Sequence, residues 1–160
     1  MKMANVLTKK DPIFHLDLLP FAMKTRKNEQ QIWDPTRRKW LIAEPEEIVR
    51  QGLIQFLHDE LKVGFGRMSA EWGFNFNGLQ KRLDLLILDD KGLPKLIAEC
   101  KSWKVPLTQK AMQQLGTYNQ VIKAPYALLC NGLHAILIKV DHVKKRSSII
   151  TKWPDLKINE

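Results

Sequence analysis

Three charged side chains stand in two short apolar stretches of the sequence, where burial is expected. Asp84 lies within residues 83–88, and Glu99 and Lys101 lie within residues 95–101. Burying carboxylates in apolar strands costs free energy unless a cation or hydrogen-bond donors compensate. A divalent metal ion bound by Asp84 and Glu99, with Lys101 beside it, is the compensation that these residue types favour.

Such a set of residues suits the hydrolysis of a phosphodiester bond. Carboxylate oxygens hold Mg²⁺, which neutralises charge on the phosphate and lowers the pKa of the attacking water. A neighbouring lysine can orient that water or stabilise the developing charge. Glu99 and Lys101 share one face of a strand because the side-chain period is two. The Glu-x-Lys triplet alone is weak, since 27% of the residues are charged.

The two stretches predict a β-hairpin. Short apolar runs bounded by turn residues are typical of buried strands, and the Asp-Asp-Lys-Gly turn at residues 89–92 separates them. We expect strands over residues 82–88 and 95–101, which brings Asp84 and Glu99 onto paired strands.

Another acid, Glu71, lies on a strand predicted over residues 67–76, before an Asn-Gly turn. Pairing across the strands with Lys81 or Arg82 is the favoured interpretation for Glu71. The alternative is that Glu71 joins the acidic cluster.

A helix that begins at Pro45 and runs to about Leu61 supplies a further acid. Proline suits a first turn, and Glu46 and Glu47 are favourable near the positive end of the helix dipole. Glu46 falls inside the apolar stripe and is predicted to face the core side, whereas Glu47 points away. Two alternatives remain open: both acids only cap the helix, or Glu47 is the site residue in place of Glu46. The stripe consists of Val49, Leu53, Phe56 and Leu57.

A second helix is predicted from an N-cap at Thr108 to about Lys123. Gln114 and Tyr118 are four residues apart, so they project from one face and can act together beside the strands. Two further strands, over residues 125–132 and 134–140, complete the predicted elements.

The chain carries an excess of positive charge, with 26 Lys and Arg against 17 Asp and Glu and a formal net charge of +9. A basic surface attracts polyanions and makes nucleic acid the leading partner class, although it can also serve solubility alone. Residues 30–42 predict a hairpin with a basic tip. The tip either contacts phosphate or is a solvated turn. The candidate contacts are Arg37, Arg38, Lys39, Lys81 and Arg82.

Length and composition favour one soluble domain. With 160 residues, 44% of them hydrophobic, the chain can bury a core without disulfides or a structural metal. Its two cysteines form no CxxC pair, no apolar run approaches the roughly 20 residues of a membrane span, and no secretory signal is visible, so we expect a cytoplasmic protein. The expected divisions are a frayed segment (1–12), an extended segment and hairpin (13–44), a catalytic core (45–141) and a basic tail (142–160).

Residues 34 to about 141 resemble the N-terminal nuclease domain of type I restriction enzyme R subunits, a branch of the PD-(D/E)XK nuclease superfamily. The matching pieces keep the order and spacing of that family. They are Asp-Pro-Thr-Arg-Arg-Lys-Trp (34–40), Pro-Glu-Glu-Ile-Val-Arg-Gln (45–51), Asn-Gly-Leu-Gln-Lys-Arg-Leu-Asp (77–84), Lys-Leu-Ile-Ala-Glu-Cys-Lys (95–101), Gln-Leu-Gly-Thr-Tyr-Asn (114–119) and Cys-Asn-Gly (130–132).

The resemblance implies an α/β fold of the restriction-endonuclease-like type, three layers α/β/α around a central mixed sheet. It implies that Asp84, Glu99 and Lys101 match the superfamily motif, with Glu46 or Glu47 as its helical acid. Gln114 and Tyr118 match the QxxxY motif of this branch, which is thought to help position DNA. Mg²⁺, replaceable by Mn²⁺, is the implied cofactor, held by Asp84, Glu99 and Glu46, and DNA is the implied substrate.

One departure narrows what the resemblance implies, because 160 residues leave no room for the helicase motor of a full R subunit. We therefore expect a DNA endonuclease that acts alone, as a homodimer, or with separate motor and specificity subunits, as in a defence system. The rival from another class is a DNA-binding or regulatory module that keeps the fold without turnover. A third interpretation takes the acids as structural ion pairs, with Lys101 neutralising Glu99.

Overall fold

A computed structural model describes residues 14–15, 24–28 and 30–156 of the chain. The frayed segment expected at 1–12, most of the extended segment at 13–22 and residues 157–160 of the basic tail lie outside them. The described residues form mixed α/β structure with two sheets and two α-helices. The elements are β1 Phe14–His15, β2 Thr25–Arg26, β3 Gln31–Asp34, β4 Lys39–Ile42, α1 Pro45–Asp59, a 3₁₀ turn Phe65–Arg67, β5 Met68–Phe76, β6 Leu79–Leu88, β7 Pro94–Cys100, α2 Gln109–Ile122, β8 Tyr126–Cys130, β9 His134–Asp141 and β10 Arg146–Ile150.

The small sheet has the order β2-β3-β4 and contains the hairpin predicted over residues 30–42. Trp33 and Trp40 are partners across β3 and β4, and their rings meet edge to face with centroids 5.4 Å apart. The turn is held by Asp34, whose Oδ1 accepts hydrogen bonds from the amides of Thr36 and Arg37. A carboxylate that binds amides two and three residues ahead is typical of turn-forming Asp.

The main sheet has the order β1-β9-β8-β7-β6-β5, and β10 also pairs with β9. The predicted hairpin is confirmed, since β6 and β7 are antiparallel with Leu85 opposite Ala98. β7 and β8 are parallel and in register at Cys100 and Cys130. Parallel neighbours need a crossover connection, and α2 supplies it.

Both predicted helices are present. α1 begins at Pro45 and ends at Asp59, two residues before the predicted end. α2 begins after Thr108, whose Oγ1 accepts a hydrogen bond from Ala111 N at 3.1 Å, which confirms the predicted N-cap. Neither helix of the described chain is long and apolar enough to cross a membrane.

Alternate residues of β7 contact different helices. Leu96, Ala98 and Cys100 belong to the buried cluster that contains the apolar residues of α1. Ile97 belongs to the cluster that contains Leu115 and Ile122 of α2. Because side chains on a strand alternate between its faces, Glu99 and Lys101 share the parity of Ile97.

The pairing of β6 with β7 stops just before the charged residues. The register runs from Leu88 to Leu85, opposite Ala98, and the next pair in register would be Asp84 and Glu99. β7 remains paired with β8 through Cys100. The two strands thus part where their acids stand, which leaves room for polar side chains between them.

Candidate active site

Asp84 is a buried carboxylate with both oxygens fixed. Oδ1 accepts a hydrogen bond from Arg50 Nη2 at 2.7 Å, and Oδ2 accepts one from the Cys100 amide at 2.6 Å. The amide of Cys100 is free to make this bond because β6 no longer pairs with β7 at that point. The side chain therefore takes the place of a missing ladder bond, and the strand geometry sets its orientation.

Glu99 is held beside Asp84 in a setting that disfavours its charge. Burial, then the negative charge of Asp84 and a hydrogen bond with it, raise the pKa of Glu99 to about 8, although the charge of Lys101 acts to lower it. Two carboxylates in one confined space cannot both ionise freely. A cation bound between Asp84 and Glu99 would relieve this repulsion.

Lys101 stands close enough to Glu99 and Glu46 to affect their protonation. Its positive charge lowers the pKa of Glu99 and of Glu46 against the larger opposing effects. Its backbone amide donates to Cys130 O at 2.8 Å, which continues the pairing with β8 and fixes where the side chain begins. The sequence-predicted Asp84, Glu99 and Lys101 are thus brought together.

The two acids of α1 are arranged differently from the prediction. Glu47 was expected to point away, but its side chain is only 12% exposed and binds Arg37 and Arg50, so that expectation is wrong. Glu46 was expected to face the core side, yet its side chain is 50% exposed. Burial, and then the charge of Asp84, raise the pKa of Glu46, so its carboxylate reaches the rim of the acidic site.

The reason for this arrangement is a partner on the hairpin. Arg37 Nη2 donates to Glu47 Oε1 at 2.8 Å while its Nε donates to Asp34. Gln51 Nε2 also donates to Glu47 Oε1, at 2.9 Å. These contacts draw Glu47 inward at the first turn of α1, where the apolar stripe of the helix has only begun.

Arg50 is the residue of the site that the sequence analysis missed. Its side chain is 6% exposed, and it contacts Asp84, Glu71 and Glu47. The charges of Asp84 and Glu47 outweigh burial and raise the pKa of Arg50 above its already high usual value. The available signal was that Arg50 follows Val49, a residue of the inward-facing stripe. A guanidinium buried at that place needs acids around it.

Glu71 joins this cluster. Its Oε1 lies 2.7 Å from Arg50 Nη2, whereas Arg82, the favoured partner, is 3.6 Å from Oε2 and 74% exposed. The backbone of Glu71 has a φ of +55°, in the left-handed region that a strand residue rarely adopts. Glu71 therefore joins the acidic cluster, which was the less favoured interpretation of the sequence, and its pairing with Arg82 is secondary.

Gln114 and Tyr118 share one face of α2 as predicted. Gln114 Nε2 donates to the Tyr118 hydroxyl at 3.0 Å. The Tyr118 ring meets Phe74 and Phe76 of β5 edge to face, with centroids 5.2 and 5.5 Å away. The Tyr118 ring thus packs on aromatic side chains of β5, which fixes the position of the hydroxyl. Their predicted role toward DNA stays a prediction.

The basic candidates differ in how free their charges are. Arg37 is 18% exposed and bound by Asp34 and Glu47, so its guanidinium serves the fold. Arg38 and Lys39 are exposed at the tip of the hairpin, and Arg82 is exposed on β6 while Lys81 is half-buried. Phosphate contact therefore stays a prediction for Arg38, Lys39, Lys81 and Arg82, and the structure assigns Arg37 elsewhere.

The residues that could hold a metal are the two central acids. Residues 24–28 and 30–156 contain no group of three or more His, Cys, Asp or Glu arranged to hold a metal ion. Mg²⁺, however, is commonly bound by one or two carboxylates and keeps several waters, unlike a closed zinc site. Asp84 and Glu99 are the two carboxylates that could supply such ligands.

Comparison with known proteins points to one family. The family model for the N terminus of the type I restriction enzyme R protein matches residues 45–154. A search of curated proteins gave no match. Among solved structures, the chain is similar to a fragment of a protein assigned as the HsdR subunit of a type I restriction enzyme from Vibrio vulnificus YJ016, with 20% identity and a TM-score of 0.40. That similarity covers 54% of this chain and only 18% of the other chain.

Proposed function

The chain belongs to the family of type I restriction enzyme R protein N-terminal domains, and from this premise we propose that it is a metal-dependent nuclease domain that hydrolyses DNA. The proposal includes the PD-(D/E)XK type of site and the three-layer restriction-endonuclease-like arrangement. The clustering of alternate β7 residues with α1 and with α2 supports that arrangement.

One observation carries the proposal. Asp84, which is buried, and Glu99, which is half-buried, lie side by side where β6 and β7 part, and burial, followed by the charge of Asp84, raises the pKa of Glu99 to about 8. Lys101 lies on the same side as Glu99. Structural ion pairing accounts for Asp84, which Arg50 neutralises, whereas Glu99 forms no salt bridge among the described residues.

The proposed roles follow from these positions. Asp84 and Glu99 hold the metal, whose charge would polarise the phosphate and acidify a bound water. Lys101 orients the attacking water or stabilises the phosphate charge, and Glu46 at the rim is an accessory acid. The amide of Cys100 fixes Asp84 Oδ2, so the carboxylate does not need to reorient when DNA binds.

The remaining predicted residues extend the proposal to DNA and to partners. Gln114 and Tyr118 would position the DNA, and the exposed Arg38 and Lys39 would contact its phosphates. The family name also connects the chain with a type I restriction system, so separate motor and specificity subunits are proposed partners. A homodimer and a cytoplasmic location complete the proposal.

A second candidate, a DNA-binding module without turnover, is favoured by one observation. The guanidinium of Arg50 bonds Asp84 directly and acts as a counterion within the protein. With such a counterion present, the acidic cluster can be stable without a metal.

The test is DNA cleavage by purified protein. Plasmid, linear and single-stranded DNA are incubated with Mg²⁺ or Mn²⁺, using wild-type protein, Asp84→Asn and Lys101→Ala. Asp90→Asn is the matched control because it removes an exposed acid from the turn after β6. We expect wild type and Asp90→Asn to cleave and the two site variants to lose at least about 100-fold in rate.

The outcomes separate the two candidates. Equal cleavage by Asp84→Asn and wild type would mean that the activity comes from a contaminant or another site. Binding of DNA by wild type with no cleavage of any substrate, with either metal, would favour the module without turnover.

A further inference from the structure

Arg50 lies among four carboxylates beside the proposed metal site. Its Nη2 donates to Asp84 Oδ1 and forms an ion pair with Glu71 Oε1, each at 2.7 Å, and its Nη1 donates to Glu47. Glu46 Oε1 lies 3.9 Å from Nη2. One guanidinium thus lies within 4 Å of every acid around the site except Glu99.

Two local costs indicate that this arrangement is not optimised for stability. Arg50 Nε is the one buried side-chain nitrogen or oxygen in the described chain that has no hydrogen-bond partner. Glu71, which meets the same guanidinium, has a backbone φ of +55° within β5. Unsatisfied buried donors and left-handed non-glycine residues both cost free energy and concentrate at functional sites.

The contacts also explain what Arg50 does to Asp84. Arginine presents a planar fork that binds carboxylates in fixed directions, whereas lysine presents a single ammonium group. With Nη2 on Oδ1 and the Cys100 amide on Oδ2, the Asp84 carboxylate has one orientation.

We propose that Arg50 is a positioning residue that holds Asp84 and stands in for a second divalent cation, so that the site takes a single metal ion. The inference rests on the proposed function. Nucleases with two metals place cations about 3.5–4 Å apart and need acids around both. Here the acids beyond Asp84, namely Glu71 and Glu47, are bound to the guanidinium instead.

The first experiment counts bound metal ions. Metal-free wild-type protein, Arg50→Gln and Arg82→Gln are titrated with Mn²⁺, and free Mn²⁺ is measured by electron paramagnetic resonance. Arg82→Gln is the matched control for the ion count, because it removes an exposed positive charge 3.6 Å from Glu71. We expect a single Mn²⁺ in wild type and in Arg82→Gln, and a second in Arg50→Gln, where the freed acids attract it.

The second experiment uses Arg50→Lys, which keeps the charge and remains informative if Arg50→Gln does not fold. We expect this variant to bind a single Mn²⁺, because the ammonium still neutralises the acids. Its kcat on DNA should fall at least tenfold, with KM for DNA within about threefold of wild type, because Asp84 is no longer held by a fork. A merely structural arginine would leave kcat per folded molecule unchanged.

The outcomes distinguish this inference from the proposed function. A single Mn²⁺ in both wild type and Arg50→Gln, or wild-type kcat in Arg50→Lys, would overturn the role of Arg50 and leave the nuclease proposal standing. Wild-type protein that binds no Mn²⁺ would overturn the metal-dependent function, and the role of Arg50 with it.

Discussion

Two charged clusters lie within this small protein, and they differ in whether their charges are satisfied. The hairpin cluster ties the β3–β4 turn to α1, and the sheet cluster stands where β6 and β7 part. Each contains a buried aspartate and an arginine from a neighbouring element. The hairpin cluster consists of Asp34, Thr36, Arg37 and Glu47, and the sheet cluster consists of Arg50, Glu71, Asp84, Glu99 and Lys101.

In the hairpin cluster both oxygens of the buried carboxylate accept hydrogen bonds from the protein. Asp34 accepts from Thr36 N and Oγ1, each at 2.7 Å, from Arg37 N at 3.0 Å, and from Arg37 Nε. Burial acts to raise the pKa of Asp34, but the hydrogen bonds with Thr36 and Arg37 outweigh it and hold the pKa below its usual value. The folded protein therefore favours the charged form of Asp34.

In the sheet cluster, one carboxylate and one guanidinium nitrogen are not satisfied by the protein. The pKa of Glu99 is raised to about 8 by burial and by Asp84, and Arg50 Nε has no partner. Both clusters contain Asp, Glu and Arg, and each has one acid more than it has basic side chains, so composition does not explain the difference. Burial with complete bonding makes a structural site, whereas a carboxylate whose charge is disfavoured by burial and by a neighbouring acid makes a place for a ligand cation.

The largest expected effect is on turnover in the sheet cluster. Glu99→Gln keeps the shape of the side chain and removes its charge, so it should lower the rate of DNA cleavage about 100- to 1000-fold. Its free energy of unfolding in metal-free buffer should be equal to or higher than that of wild type, because the amide carries no charge for burial and Asp84 to disfavour. Urea unfolding and a cleavage assay on the same preparation measure both.

Loss of stability in Glu99→Gln would break the comparison, since it would make Glu99 a structural group like Asp34. Asp90→Asn serves as the control in both assays.

The next effect is on stability in the hairpin cluster. Asp34→Asn is equally conservative in shape but should lower the free energy of unfolding by about 2–3 kcal/mol, because Arg37 loses one of its two acidic partners inside the protein. Cleavage per folded molecule should stay within about threefold of wild type. Urea unfolding checks the first and active-fraction kinetics the second.

Asp89→Asn is the matched control for Asp34→Asn, because Asp89 also accepts from turn amides, at Lys91 and Leu93, but forms no hydrogen bond with an arginine in the described residues. It should cost less than about 1 kcal/mol. Equal losses in the two variants would mean that the ion pair with Arg37 adds nothing to the turn.

A smaller effect should appear in the pH dependence of stability. Because the folded pKa of Asp34 lies below the unfolded value of about 4, its contribution is present above that value and is lost as pH falls through the folded pKa. The difference in unfolding free energy between wild type and Asp34→Asn should therefore be constant from pH 7 to 5 and shrink towards pH 3. A difference that stays constant down to pH 3 would mean that Asp34 is not the group that titrates.

The parts of the molecule that sequence predicted are those governed by local patterns. The Thr108 cap, the β6–β7 hairpin and the shared face of Gln114 and Tyr118 each follow from neighbours within a few residues. Asp84, Glu99 and Lys101 were found because charge inside an apolar strand is conspicuous. Their pairing by strand register then followed from the turn between them.

The parts that sequence missed depend on contacts between distant elements. Glu47 turns inward because Arg37, ten residues earlier on the hairpin, binds it, and the helical stripe cannot show that. Glu71 reaches Arg50 through a left-handed backbone in β5, which a two-residue period does not foresee. Arg50 of α1 contacts Glu71 of β5 and Asp84 of β6, and both strands are distant from it in the sequence.

The smallest expected effect tests whether the functional surface of the sheet cluster extends onto α2. Tyr118→Phe removes the hydroxyl that accepts from Gln114 at 3.0 Å but keeps the ring packed on Phe74 and Phe76. Stability should change by less than about 1 kcal/mol, while cleavage should fall about 2- to 10-fold, because a single neutral hydrogen bond is worth that much. Tyr126→Phe on β8 is the control and should leave cleavage unchanged. If Tyr118→Phe lowered stability and left cleavage at the wild-type rate, the pair would resemble the hairpin cluster, and the functional surface would end at β6 and β7.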